Sequence, residues 1–86
     1  MEREMDKYKG NDNYGKPKVA YLEQLGNMGD QQLSDACEQM IWLSAFANNN
    51  PRSDYHWQCD ACYDECHNRG KVYIYENAHK KVSSSV

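Results

Sequence analysis

The sequence lacks the long apolar run, of roughly 20 residues, that a membrane-spanning helix needs. Its beginning, MEREMDKYKG, is charged from the second residue, which is not the pattern of a secretory signal. From these two absences we expect a cytoplasmic protein with no membrane partner. In that compartment its four cysteines would be reduced thiols.

Recognisable catalytic motifs are also missing. The chain contains neither a glycine-rich phosphate loop nor a serine-nucleophile elbow. Cys66 and His67 are adjacent, and adjacent residues of a helix point about 100° apart, so they would not form a nucleophile pair. We therefore expect that the protein is not an enzyme.

The charges are distributed unevenly, although the net charge of the 86 residues is only −3. Residues 1–29 carry five acidic and five basic side chains, residues 30–68 carry seven acidic ones against Arg52, and residues 69–86 carry four basic ones against Glu76, giving sums of 0, −6 and +3. The acidic centre would repel a phosphate backbone, so we expect no direct binding of nucleic acid. It would suit docking on a basic protein surface, and it would equally suit an ordinary solvated face.

Composition divides the chain into three parts. Residues 1–16 are rich in charged residues, asparagine and glycine and have few apolar anchors, so we predict a flexible arm. Residues 17–82 are predicted to form a single helical domain, and residues 83–86 a disordered tail. A domain this small buries only roughly 60% of its unfolded surface, so a metal, an oligomer contact or a permanent partner would help to stabilise it.

Two helices are predicted before the asparagine run in the middle of the chain. For the first, 18–25, Pro17 suits the first helical turn and Gly26 can end the helix. Asp30 is the expected N-cap of the second, 31–48. One apolar stripe runs along this second helix and consists of Leu33, Ala36, Cys37, Met40, Leu43 and Ala47.

Two aromatic residues of the second predicted helix lie off this stripe. Trp42 and Phe46 fall about 180° and about 220° from Leu33 on a helical wheel. They should therefore contact a second neighbour, which is either the 18–25 segment or the surface of a partner. Aromatic side chains often anchor protein interfaces.

The asparagine run breaks the second helix. Asn50 is the expected cap of a third helix over 51–69, with Pro51 in its first turn and Gly70 as its stop. So short a connection makes the two helices antiparallel neighbours, an αα-hairpin. Residues 71–82 favour strand locally, but no other strand is available for pairing, so we predict a last helix. The predicted fold class is all-α: a small helical bundle built on this antiparallel helical hairpin.

The cysteines of the third predicted helix have two interpretations. Thiolates at CxxC spacing are typical zinc ligands, and a structural zinc would stabilise so small a chain; its ligands would be Cys37, Cys59, Cys62 and Cys66. Alternatively, the three cysteines of this helix share one face about 100° wide, and free cysteine is readily buried. Because the CDAC segment has no turn residues and no second CxxC occurs, we favour core thiols and no cofactor.

The residues outside the cysteine face are the candidates for contact with a partner. Trp57 falls outside this face on the wheel, as do the surface carboxylates. An unpaired tryptophan could equally support a homo-oligomer. The candidate partner-binding residues are Trp42, Phe46, Asp54, Trp57, Asp60, Asp64 and Glu65.

The segments NNPRSDYHW, DACYDECHNRG and IYENAHKK resemble those of small orphan proteins carried by bacteriophages. Such proteins are often host-takeover or counter-defence factors that bind and block a host protein. The resemblance covers the C-terminal half and carries over no functional residue. It implies a stoichiometric inhibitor or modulator in the cytoplasm of the host cell. Together with the acidic centre, it leads us to expect a small acidic protein-binding module.

Overall fold

The computed structural model of the protein describes residues 8–85, and for Ser85 the backbone alone. Within this range, no named strand occurs, and the predicted all-α class is confirmed. Nor is any helix in the same range long and apolar enough to cross a membrane. The four helices are α1 (Lys18–Gly26), α2 (Asp30–Phe46), α3 (Asp54–Asn68) and α4 (Val72–Ser85).

Helix α2 begins one residue earlier than predicted, with Gly29 as its N-cap. The side chain of Gln32 accepts a hydrogen bond of 3.1 Å from the backbone N–H of Gly29. The prediction that Asp30 is the N-cap is wrong, because its carboxylate instead bonds Arg69 and Lys71 after α3. Acidic residues are nevertheless favourable in a first helical turn.

Helix α3 begins later than predicted. The Oγ atom of Ser53 accepts a hydrogen bond of 3.2 Å from the backbone N–H of Tyr55, so Ser53 is the cap. Asn50 does not cap the helix, because its side chain accepts from Arg52 and stabilises the turn before it. Pro51 lies in that turn.

A glycine ends α3 as predicted. Gly70 has a φ of +71°, a left-handed conformation that few other residues adopt easily. The backbone N–H of Lys71 donates to the carbonyl of Cys66 over 2.9 Å, and that of Gly70 to His67 over 3.0 Å. These two bonds satisfy carbonyls that the end of a helix otherwise leaves unpaired. The chain then enters α4, which continues through residues 83–85 of the predicted tail.

The second helix is the centre of the packing. Helix α2 contacts α3 and, most extensively, α4, while α1 packs on α3. Contacts between α2 and α3 run in opposite chain directions: Ser44 bonds His56 over 2.7 Å, and Cys37 meets Cys66 nearer the other end. The buried core consists of Tyr8, Leu25, Leu33, Cys37, Ile41, Ala61, Cys62, Cys66, Ile74 and Ala78.

Residues 8–16 of the predicted arm lie against α3. Tyr8 is only 4% exposed, and its hydroxyl is hydrogen-bonded to Asp64. Asn13 donates from its backbone to Asp54 over 3.1 Å and from its side chain to the carbonyl of Arg52. Tyr8 therefore anchors residues 8–16 to the core. The flexibility of the arm stays a prediction, and its residues 1–7 lie outside the described part of the chain.

Candidate functional site: an exposed aromatic pair beside the α2–α4 groove

The cysteines occupy the core face that the helical wheel predicts. Cys37, Cys62 and Cys66 are fully buried, and Cys59 is partly buried. The Sγ atoms of Cys37 and Cys66 lie 3.7 Å apart, and all four thiols are free. Small side chains at these positions let α2 and α3 approach closely.

Among residues 8–85, the structure shows no set of side chains assembled as the ligands of the alternative zinc site. No group of three or more histidine, cysteine or acidic side chains in this range is placed to hold a metal ion. Cys59 instead contacts the hydroxyl of Tyr75 over 3.3 Å, and Cys62 contacts that of Tyr21 over 3.7 Å. A structural zinc stays a prediction, to be decided by metal analysis.

Burial raises the pKa of several core groups, whereas a hydrogen bond with Cys37 lowers the pKa of the Cys62 thiol. Desolvation raises the pKa of the Cys66 thiol and that of Cys59, because the charged thiolate is disfavoured away from water. Burial likewise raises the pKa of Tyr21 and of Tyr75. The raised pKa values favour the protonated thiols of Cys59 and Cys66, and a protonated thiol is a poorer nucleophile than a thiolate.

Trp57 is partly buried and packs against the core. Its indole ring makes edge-on contacts with Tyr21, at 5.6 Å between ring centroids, and with Tyr8, at 6.3 Å. Its Nε1 atom donates to Asp54 over 2.9 Å, and the ammonium of Lys18 lies over the ring. The wheel places Trp57 outside the cysteine face, and in the structure α1 and the arm pack against that other side of α3. A role of Trp57 in partner binding stays a prediction.

The acidic candidates on α3 have internal partners. Asp54 accepts from Asn13 and Trp57, Asp64 bonds Tyr8, and Glu65 bonds Arg69 over 2.8 Å. Asp60 is exposed. Most carboxylates of α3 therefore form contacts within the protein, because segments that are distant in the chain pack against this helix.

Trp42 and Phe46 remain at the surface. Their rings are stacked, with centroids 5.3 Å apart and planes inclined by 7°. Trp42 is 51% exposed and Phe46 is 76% exposed. The second neighbour of α2 is α4 and not α1, and it leaves this aromatic pair uncovered.

A groove between α2 and α4 adjoins Trp42. It has a volume of about 370 Å³. Glu38 and Lys81 face each other across it, with 3.5 Å between Oε2 and Nζ. We call it the α2–α4 groove; its lining residues are Asp35, Glu38, Gln39, Trp42, Lys81 and Val82.

Sequence reasoning missed the residues of this groove other than Trp42. Asp35, Glu38, Trp42 and Phe46 recur at helical spacing along one side of α2, which is a pattern that the sequence already contains. The opposite wall could not be found in this way, because it depends on α4 packing beside α2. The mixture of acidic and aromatic residues on one side of α2 was the feature of the sequence that could have indicated the groove.

Comparisons with protein-family models, with curated proteins and with solved structures give no match. The candidate site is therefore defined by its geometry alone, and the resemblance to bacteriophage proteins stays an expectation.

Proposed function

We propose that the protein is a small acidic protein-binding module that docks on a host protein through the Trp42–Phe46 pair and the adjoining α2–α4 groove. The observation that carries the proposal is the stacked, exposed pair, because two large rings lie together at the surface without contributing to the core. Preorganised aromatic side chains lose little conformational freedom on binding and dominate many interfaces.

The charge near the groove supports a basic partner surface. Asp35 and Glu38 stand on the same side of α2 as Trp42, within the part of the chain whose charges sum to −6. Opposite charges on two partners accelerate association and select against acidic competitors. The proposed contact thus moves from the α3 carboxylates, which serve the fold, to the acids of α2.

The proposed mode of action is stoichiometric inhibition or modulation of a host protein in the host cytoplasm. Its support is the resemblance to bacteriophage accessory proteins together with the binding surface. A module of this kind acts by occupying a surface that its target needs, so its effect saturates at one module per target. This saturation distinguishes blocking from turnover.

Two matched variants test the proposed surface. The double variant Trp42→Ala/Phe46→Ala removes the aromatic pair, whereas Tyr14→Ala removes a ring that is 88% exposed and lies outside the groove. Both variants are expected to keep the helical circular dichroism spectrum, since the removed rings lie at the surface. Affinity capture from host lysate should lose its partner with the double variant and keep it with Tyr14→Ala. Equal capture by both variants would overturn the proposed surface.

A second copy of the chain is the alternative occupant of the aromatic pair. Stable dimers bury about 800 Å² on each partner, so both the pair and its surroundings would be covered. Sedimentation across a range of concentrations separates the two cases. A dimer that the Trp42→Ala/Phe46→Ala exchange dissociates would replace the host-partner proposal with self-association.

A further inference from the structure

The chemistry of the α2–α4 groove is that of a site for one cationic side chain. Its lining includes Trp42, the two carboxylates of Asp35 and Glu38, the apolar Val82 and the ammonium of Lys81. We infer that the α2–α4 groove binds an arginine side chain of the partner, with the guanidinium over Trp42 and bonded to the two carboxylates. The inference rests on the proposed function and specifies the chemistry of its partner.

The indole of Trp42 is oriented for such a contact. Phe46 stacks on one face of the ring, so the other face is the one available to a ligand in the groove. A cation over a tryptophan face is attracted by the ring quadrupole, and arginine is the side chain found there most often. The flat guanidinium would extend the existing stack of two parallel rings.

The carboxylates supply directional acceptors beside the ring. Asp35 is exposed and accepts one hydrogen bond, of 3.2 Å, from the amide of Gln31, which leaves other lone pairs for a ligand. Glu38 is held by Lys81 over 3.5 Å, a long contact in which the lysine side chain is 71% exposed. Such a surface pair contributes little stability, so an arginine can replace it. The planar fork of arginine matches a carboxylate better than the point charge of a lysine does.

The size of the groove agrees with a single long side chain. Ligand pockets in proteins range over about 300–1,000 Å³, and this groove lies near the lower limit. It therefore suits one residue of a docked segment rather than a whole helix. The remainder of the segment would lie along the exposed Phe46 ring.

Lys81 acts in this arrangement as an internal competitor for Glu38. Its ammonium occupies the acceptor that the incoming guanidinium would take. Replacement of Lys81 by methionine keeps an apolar stem against the groove and removes the charge. The variant should therefore bind an arginine ligand more tightly, which is an unusual outcome for a change within a binding surface.

The test uses the two tryptophans as paired reporters. Trp42 and Trp57 are the only tryptophans of the chain, so a nitrogen-15 spectrum contains two indole N–H signals. The probe is a helical peptide of alanine, leucine and arginine, about 15 residues long so that it can form a helix. Twin peptides carry lysine or the neutral isostere citrulline in place of arginine.

The arginine peptide is expected to shift the Trp42 signal saturably and leave that of Trp57 in place. Its Kd should be about tenfold lower than that of either twin. Glu38→Gln should raise this Kd by about fivefold, and Lys81→Met should lower it. Unfolding midpoints of both variants, measured in parallel, exclude an effect of lost folding.

Equal affinity for the three peptides, or a shift confined to Trp57, would overturn the arginine assignment. The arginine assignment would also be overturned if no peptide binds while capture of the host protein still depends on Trp42 and Phe46. In that case the proposed function survives. Loss of that dependence in the capture experiment counts against the proposed function itself. The two failures are therefore distinguishable.

Discussion

Arg69 and Asp30 are 39 residues apart in the chain and are joined by a bond of 2.9 Å between Nη1 and Oδ1. The same guanidinium donates to the backbone carbonyls of Leu25 and Met28, over 3.0 and 2.7 Å, and to Glu65. One side chain at the end of α3 thus fixes the turn between α1 and α2. The hydrogen bond from Lys71, and then the one from Arg69, lower the pKa of the Asp30 carboxyl.

Arg69→Ala should destabilise the protein by about 2–3 kcal/mol, because it leaves two backbone carbonyls and the Glu65 carboxylate without their charged donor. Asp30 would keep only its bond from Lys71. Arg69→Lys should recover only part of this loss, since an ammonium cannot reproduce the fork. Lys71→Ala is the control: it removes an exposed ion pair with Asp30 and should change the free energy of unfolding far less than Arg69→Ala does. Urea titration provides the comparison, and equal losses from Arg69→Ala and Lys71→Ala would contradict the role of the guanidinium.

Tyr8 should be a core residue in energetic terms. Tyr8→Ala is expected to lower the free energy of unfolding by about 3 kcal/mol, as for other large-to-small changes of buried aromatics. Tyr8→Phe keeps the ring and removes the hydroxyl bonded to Asp64, so about 1 kcal/mol is expected. Tyr14→Ala, at an exposed position of the same segment, should be neutral. A negligible effect of Tyr8→Ala would show that the whole arm is flexible in solution.

The conformation of Gly70 predicts a specific penalty for a methyl group. Gly70→Ala should destabilise by about 1 kcal/mol, because its φ of +71° is strained for an L-residue although nothing lies within 4 Å of the added carbon. Gly26→Ala is the matched control, since Gly26 ends α1 without a positive φ and has the same open surroundings. Thermal unfolding should show a lower midpoint for Gly70→Ala alone, and equal midpoints would remove the backbone explanation.

The buried Cys66 thiol and the buried Tyr8 hydroxyl should make the stability of the fold sensitive to alkaline pH. The pKa of Cys66 lies above its ordinary value of 9.0 in the folded protein because of burial, and burial with the Asp64 hydrogen bond raises that of Tyr8. A raised folded pKa gives stability that is complete below the unfolded pKa and is lost as pH rises above it. Urea midpoints should therefore fall from about pH 9 upward. Cys66→Ala should reduce this slope, and an unchanged slope would assign the alkaline loss to other groups.

Removal of metal should leave the fold intact if the cysteines are core thiols. The expected result is an unchanged circular dichroism spectrum after treatment with a chelator and no stoichiometric zinc by elemental analysis. Cys59→Ala and Cys62→Ala should then behave as repacking variants, each costing about 1 kcal/mol or somewhat more. One zinc per chain, released together with the fold, would establish the alternative in which the thiols are ligands.

The sequence was informative where structure is local and periodic. Helices α2 and α3 follow from apolar spacing and from breakers such as the asparagine run and Gly70, and the buried cysteines follow from the wheel of α3. Residues 71–82 favour strand locally, and a helix was predicted there only because no other strand is available for pairing. The errors arose from contacts between distant segments. Trp57 looked exposed because its cover comes from Tyr8 and Tyr21, which lie elsewhere in the chain. The α2–α4 groove was hidden for the same reason, since no periodicity reveals which helix becomes the second neighbour of α2.

The central position of α2 has a consequence for how the protein unfolds. Because α3 and α4 both pack on α2, removing either one would expose part of the face that holds Leu33, Cys37 and Ile41. A fragment that keeps only two of these helices would leave apolar surface in water, so the native state should melt in one cooperative step. The backbone amides of α2 should then exchange with solvent only through global unfolding. The same helix carries the Trp42–Phe46 pair, so the backbone that positions the two rings belongs to the cooperative unit.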